Sequence, residues 1–241
     1  MLRGPWPLPF LVALVALVAA PAKADSPYTL RLSVDLPVIA LGAAGTMMGL
    51  LEVPPAACLP DCTPDGINAL DRTALGNYSE SAYTAANVGV AALLLAPLVL
   101  DGVDSGGDGW LEDTVVYAET LLLAQTLTQL LKFAVRRPAP LVYDPDVPAG
   151  VKRGRDASRS FVSGHTSMAF AAATSYATTF WLRHPESSAR WLVLGAGSAL
   201  ALAVGVLKVV AGYHFWTDIA AGALVGAGTG ALVPLLHAQT E

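Results

Sequence analysis

Six apolar stretches divide most of this chain, each near the length of a helix that crosses a bilayer. They run over Leu32–Val53, Ala82–Leu100, Thr114–Val135, Phe161–Leu182, Trp191–Ala211 and Thr217–His237. A hydrocarbon core of about 30 Å needs some 20 apolar residues at about 1.5 Å rise each. Ala, Leu and Gly dominate the stretches and strand-like alternation is nearly absent, which predicts helices in all six. The expected fold is therefore all-α, a transmembrane six-helix bundle. Composition agrees: 54% of residues are apolar and 14% charged, where a soluble domain carries about 25% charged residues. The net charge of −5 argues against a nucleic-acid partner, which calls for a basic face.

The N-terminus has the layout of a secretory signal: Arg3, an apolar run from Phe10 to Ala20, then Ala22-Lys23-Ala24 with small residues where a signal peptidase reads. Cleavage before Asp25 is expected, with residues 1–24 as signal peptide and 25–241 as one domain. An uncleaved anchor helix is the alternative, though the run is short for a span. Cys58 and Cys62 are the chain's two cysteines. In an exported protein they would close a small disulfide loop; otherwise they are free thiols in a turn.

The loops differ in charge. Asp101–Asp113 carries five acids and no base. Its Asp-Ser-Gly-Gly-Asp-Gly run lacks the ligand spacing and closing Glu of a calcium loop, so a solvated turn is expected. Between Lys132 and Ser160 stand Lys132, Arg136, Arg137, Lys152, Arg153, Arg155 and Arg159, seven of fourteen bases. Such a concentration suits a ligand that bears phosphate.

Three short segments hold the polar groups at helix ends. Lys132-Phe-Ala-Val-Arg-Arg137-Pro-Ala-Pro140 closes the third apolar stretch; its bases could bind an anion, or merely complement a helix dipole. Ser160-Phe-Val-Ser163-Gly164-His165-Thr-Ser167 opens the fourth. There a helix N-terminus offers free N–H groups to an anion and His165 could give a proton, or the segment is an ordinary cap. Lys208-Val-Val-Ala-Gly-Tyr-His214-Phe-Trp-Thr-Asp218 joins the fifth and sixth. His214 and Asp218 are four apart, so the carboxylate can fix the tautomer of a nucleophilic imidazole, or simply cap the last helix. In a six-helix serpentine the third-to-fourth and fifth-to-sixth connections lie on one side. The three segments can then meet at one end of the bundle, between helices 3/4 and 5/6.

The order Lys…Arg-Pro, Ser-Gly-His and basic…His-x-x-x-Asp resembles the type 2 phosphatidic acid phosphatase and vanadium haloperoxidase superfamily, over about Leu121–His237. Four positions depart from its pattern. Ala139 stands where a second Arg is usual, Val162 where Pro precedes Ser-Gly-His, and Leu207-Lys208 where Ser-Arg is usual. Arg136, Lys152 or Arg153 could offset the lost Arg by folding over the pocket.

The resemblance implies a phosphatase with no metal and no cofactor. His214 would attack phosphorus, Asp218 would orient it, and His165 would protonate the leaving oxygen. Lys132, Arg137, Ser163, Gly164 and Lys208 would hold the phosphoryl oxygens. The implied partners are a lipid phosphate or diphosphate and membrane lipids. The implied setting is a bacterial inner membrane with a periplasm-facing site. A cleaved signal followed by six spans would instead put the site on the cytoplasmic side, so the topology stays open. A soluble periplasmic phosphatase is one alternative, supported by Glu119, Gln125 and Gln129 inside the helices. A non-catalytic phosphate-binding relative is another, and a haloperoxidase fits a chain this short and apolar poorly.

Overall fold

A computed structural model describes residues 26–52 and 54–239; the expected signal peptide and its cleavage point lie outside them. The described chain is helical, with one isolated bridge between Tyr28 and Ala238. Its longest helices are α1 (Leu32–Met47), α2 (Glu80–Ser105), α3 (Trp110–Val135), α4 (Gly164–Arg183), α5 (Ala189–Val210) and α6 (Trp216–His237). Short turns fill the connections, among them Ala69–Arg72 between α1 and α2 and Pro140–Tyr143 between α3 and α4.

Local chemistry sets the ends. Ser79 caps α2 by accepting from Ala82 N, and Ser163 caps α4 by accepting from Thr166 N. Gly106 ends α2 in the left-handed region at φ +65°. Arg136 ends α3 at φ +47°, with Pro138 and Pro140 barring further helix.

Among the described residues, four helices are long and apolar enough to cross a membrane: α1 with its following turn, α2, α5 and α6. Their outward faces expose Leu36, Leu41, Leu95, Val99, Leu200, Leu202, Leu224 and Leu232, as a lipid-facing surface requires. The sequence leads one to expect six such helices; α3 and α4 fall short of that apolarity. They are the inner pair. α4 packs against α2, α3, α5 and α6, while α3 packs against α1, α4 and α6. Their polar side chains therefore meet other helices rather than lipid: Thr120, Thr128, Gln129, Ser167 and Ser175 are all buried.

The closest packing joins α4 to α6. Gly222, Gly226 and Gly230 recur every fourth residue on α6, and a side chain at any of them would collide with the backbone carbonyl of Ser163, Ser167 or Ala171. Such small residues let helices approach to backbone contact.

The end of the bundle away from the three motifs holds a buried ion network. Arg183 at the end of α4 pairs with Asp101, Asp104 and Asp113, and His184 pairs with Asp104. The acidic connection is thus not the solvated turn its composition suggests. Asp101, Asp104 and Asp113 turn inward because Arg183 is there to receive them, and Asp108 stays exposed.

Candidate active site

The cavity at the motif end is built from six segments. α2 supplies Val90 and Leu94, α3 supplies Gln125, Gln129 and Lys132, and α4 supplies Gly164, His165 and Met168. Lys208 comes from α5, Tyr213 and His214 from the turn before α6, and Asp156 from the connection before α4. Its volume is about 260 Å³, room for a phosphoryl group and a short attachment but not for a lipid's chains.

His214 sits on a turn that glycine makes possible. Gly212 has φ +81°, and a side chain there would strike the carbonyl oxygen of Asn77. The Gly212 carbonyl in turn accepts from Leu141 N at 2.9 Å. The His214 side chain is 7% exposed, with Nδ1 turned to Asp218 Oδ2 at 3.7 Å. That is too long for a hydrogen bond, and Nδ1 has no partner among the described residues. Burial pushes the His214 pKa below its ordinary value, against the opposing pull of Asp218.

Asp218 is fully buried and held from two sides. Oδ2 accepts from Phe215 N at 2.8 Å, and Oδ1 accepts from Arg137 Nη1 at 2.8 Å. The capping role and the histidine-facing role fall to the same carboxylate. Arg137 is not part of the cavity lining. Its Nη1 also donates to Thr217 Oγ1, its Nη2 donates to Asp71 Oδ2 at 2.8 Å, and its guanidinium lies 3.9 Å from the Phe215 ring centre.

Asp71 closes this support. It is fully buried and also accepts from Thr217 N, Thr217 Oγ1 and Asn68 Nδ2. Burial alone would raise its carboxyl; the hydrogen bonds from Thr217 and Arg137 outweigh that and hold it below the usual carboxylate range.

His165 Nε2 lies 2.7 Å from Asn87 Oδ1, and Lys208 Nζ lies 3.5 Å from the same oxygen. A lysine can only donate, so the amide oxygen faces both groups and His165 Nε2 carries the proton. Lys208 is almost wholly buried, with its ammonium 4.0 Å from the Tyr83 ring centre and 5.1 Å from that of Tyr213. This aromatic seat suits a point charge. Lys132 Nζ donates to the Arg159 carbonyl at 2.5 Å. Gly164 opens α4 at the cavity wall, whereas Ser163 is buried behind it, donating its N–H to the Asp218 carbonyl.

The cavity thus brings together His214, His165, Lys132, Lys208 and Gly164; Asp218, Ser163 and Arg137 stand behind it. None of Arg136, Lys152 and Arg153 lines it. Ala139 is buried among Leu141, Val142, Val147 and Ala157, an apolar seat where an arginine would have no room. Arg159 is buried beside Phe133, with Nε and Nη1 unpartnered among the described residues. Cys58 and Cys62 form a disulfide, with Cys62 packed against this apolar cluster and neither cysteine in the cavity lining.

Sequence reasoning missed Asn87, Asp71, Thr217 and Tyr83. Asn87 is the one that left a trace, as a lone amide in the apolar run of α2, where a polar side chain without a partner would be costly.

The PAP2 superfamily model matches residues 113–240, a span that holds all three motifs. Among solved structures, the first transmembrane PAP2-type phosphatidylglycerolphosphate phosphatase from Bacillus subtilis is similar, at 22% identity and a TM-score of 0.43. The match covers 94% of this chain and 90% of that one. No curated protein sequence matches the chain.

Proposed function

This chain belongs to the PAP2 superfamily, and on that premise we propose that it is a metal-independent phosphatase of lipid phosphates acting through a phosphohistidine. The observation that carries the reading is one cavity lined by two histidines and two lysines, with a buried carboxylate behind one of the histidines.

His214 attacks phosphorus through Nε2, since Nδ1 is turned to Asp218. The N–P bond forms as the bond to the leaving oxygen breaks, and His165, in its doubly protonated form with Nε2–H held by Asn87, gives that oxygen the proton of Nδ1. Water then attacks phosphorus, His165 takes the proton back, and the N–P bond breaks to release phosphate. Lys132, Lys208 and the Gly164 N–H neutralise the oxygens on which charge gathers. Among the described residues Asp156 is the one carboxylate in the lining, too few for a magnesium site, so the ammonium groups do the work a metal would do.

Arg137 acts through Asp218 rather than on the phosphate, because three of its five N–H donors go to Asp71, Thr217 and Asp218 and it does not line the cavity. The lipid assignment rests on the apolar wall formed by Val90, Leu94 and Met168 and on the lipid-compatible outer faces. The phosphate head group enters the cavity while the chains stay in the bilayer.

The test is phosphate release from a panel of lipid phosphates and diphosphates by purified protein in detergent with EDTA, beside His214→Ala. Release that survives EDTA and disappears in the variant is expected. A wild type no better than the variant on every lipid and soluble ester would overturn the enzyme reading in favour of phosphate binding alone.

A further inference from the structure

A second cluster of ligating side chains lies at the other end of the bundle. Asp35 in the first turn of α1, Glu119 in α3 and His237, the last residue of α6, bring three donor atoms within 4.8 Å of one another. Thirteen residues of α3 separate Glu119 from Lys132, about 20 Å along the helix, so this cluster is distinct from the catalytic cavity.

The three side chains are held as ligands would be. His237 Nδ1 lies 2.8 Å from the Val233 carbonyl. That bond fixes the proton on Nδ1 and leaves Nε2 a bare acceptor, the usual tautomer of a metal-bound imidazole. Nε2 nevertheless faces two acceptors, Asp35 Oδ1 at 3.4 Å and Glu119 Oε2 at 3.2 Å. Asp35 Oδ2 is committed to Arg31 N, which aims Oδ1 inward. Glu119 is 1% exposed, and its Oε1 has no partner among the described residues.

With both carboxylates ionised and the imidazole neutral, two negative charges are buried together. A divalent cation balances the set. Two of the three spacings fit as well: ligands at about 2.0–2.1 Å from a tetrahedral Zn²⁺ stand about 3.4 Å apart, against the 3.2 and 3.4 Å from His237 Nε2 to the two carboxylates, whose own oxygens lie within 4.8 Å of each other. An imidazole nitrogen in the set disfavours calcium and magnesium, which take oxygen ligands.

We propose that Asp35, Glu119 and His237 form a structural site for a divalent transition cation, with Zn²⁺ the best fit. The ion ties α1, α3 and α6 together at the end of the bundle remote from catalysis. His237 keeps some solvent exposure, which gives the ion a way in and leaves a fourth position for water.

The test is to strip the purified protein with EDTA, add ZnCl₂, remove the excess, and measure bound zinc and the unfolding temperature. Wild type, His237→Gln, Glu119→Gln and His214→Ala are compared. One zinc per chain is expected in wild type and in His214→Ala, with unfolding raised by several degrees; both effects are lost in His237→Gln and Glu119→Gln. Because a variant can fail to fold, X-ray absorption on zinc-loaded wild type adds a readout independent of mutation: a nitrogen and oxygen shell with one imidazole is expected. No stoichiometric zinc in wild type, zinc that depends on His214 but not on His237, or a shell with two imidazoles would each overturn the proposal.

Discussion

Arg137 holds Asp218 from the side opposite His214: Nη1 meets Oδ1 at 2.8 Å while Oδ2 faces the imidazole at 3.7 Å. The same guanidinium reaches Asp71. One arginine therefore compensates two fully buried carboxylates, and the orientation of the proposed nucleophile depends on it.

Arg137→Ala should accordingly lose about 3 kcal/mol of stability, the usual cost of leaving a buried charge without its partner. It should also lower kcat by about 10- to 100-fold while KM moves little. Unfolding in detergent and steady-state kinetics check this. A large rise in KM with kcat unchanged would show that Arg137 binds phosphate directly.

Asn87 touches both His165 and Lys208. Asn87→Ala should cut kcat/KM about 10-fold by freeing the imidazole and the ammonium to wander. Asn87→Asp adds a negative charge beside His165, stabilises its protonated form, and should move the basic limb of the pH profile upward. Full pH–rate profiles of both variants decide it; a purely structural Asn87 would lower both alike and leave the limbs in place.

His214 must be neutral to attack. Burial places its pKa below the ordinary value of about 6.5, so falling pH keeps it neutral past the point where a free imidazole would protonate. The acid limb of kcat/KM on an activated phosphate ester should therefore lie below pH 6.5. An acid limb at or above that value would contradict the burial of His214.

Gly212→Ala puts a methyl group into the Asn77 carbonyl at a backbone angle that side chains rarely adopt. A loss of about 2 kcal/mol or more, with turnover reduced because His214 follows two residues later, is the expected result. Thermal unfolding beside activity at low temperature separates the two effects.

Much of this was legible in the sequence because its signals are local. The apolar stretches marked the helices to within a few residues. The spacing of Lys132, Gly164, His165, Lys208 and His214 marked what the cavity gathers, because each sits at or next to a helix end that the chain order brings to one side. The partners of Arg137 were not legible, because a base next to a helix end reads the same whether it faces an anion or an Asp from another loop. Asp71 lies in a stretch with no periodicity, and only the tertiary fold carries it to Thr217. The inner position of α3 and α4 likewise follows from packing. Polar residues inside an apolar helix reveal that it meets other helices, not which ones. Asp35, Glu119 and His237 are more than eighty residues apart in sequence, so no local pattern joins them.

The glycine ladder between α4 and α6 has a consequence for the chemistry. His165 rides on α4 and Asp218 on α6, with His214 just before it, so the gap between proton donor and nucleophile is gauged by how near those two rods can lie. What sets that gauge is missing matter: three absent methyl groups at Gly222, Gly226 and Gly230. Filling Gly230, the rung farthest from the cavity, would wedge the rods apart and detune the two imidazoles without touching either of them.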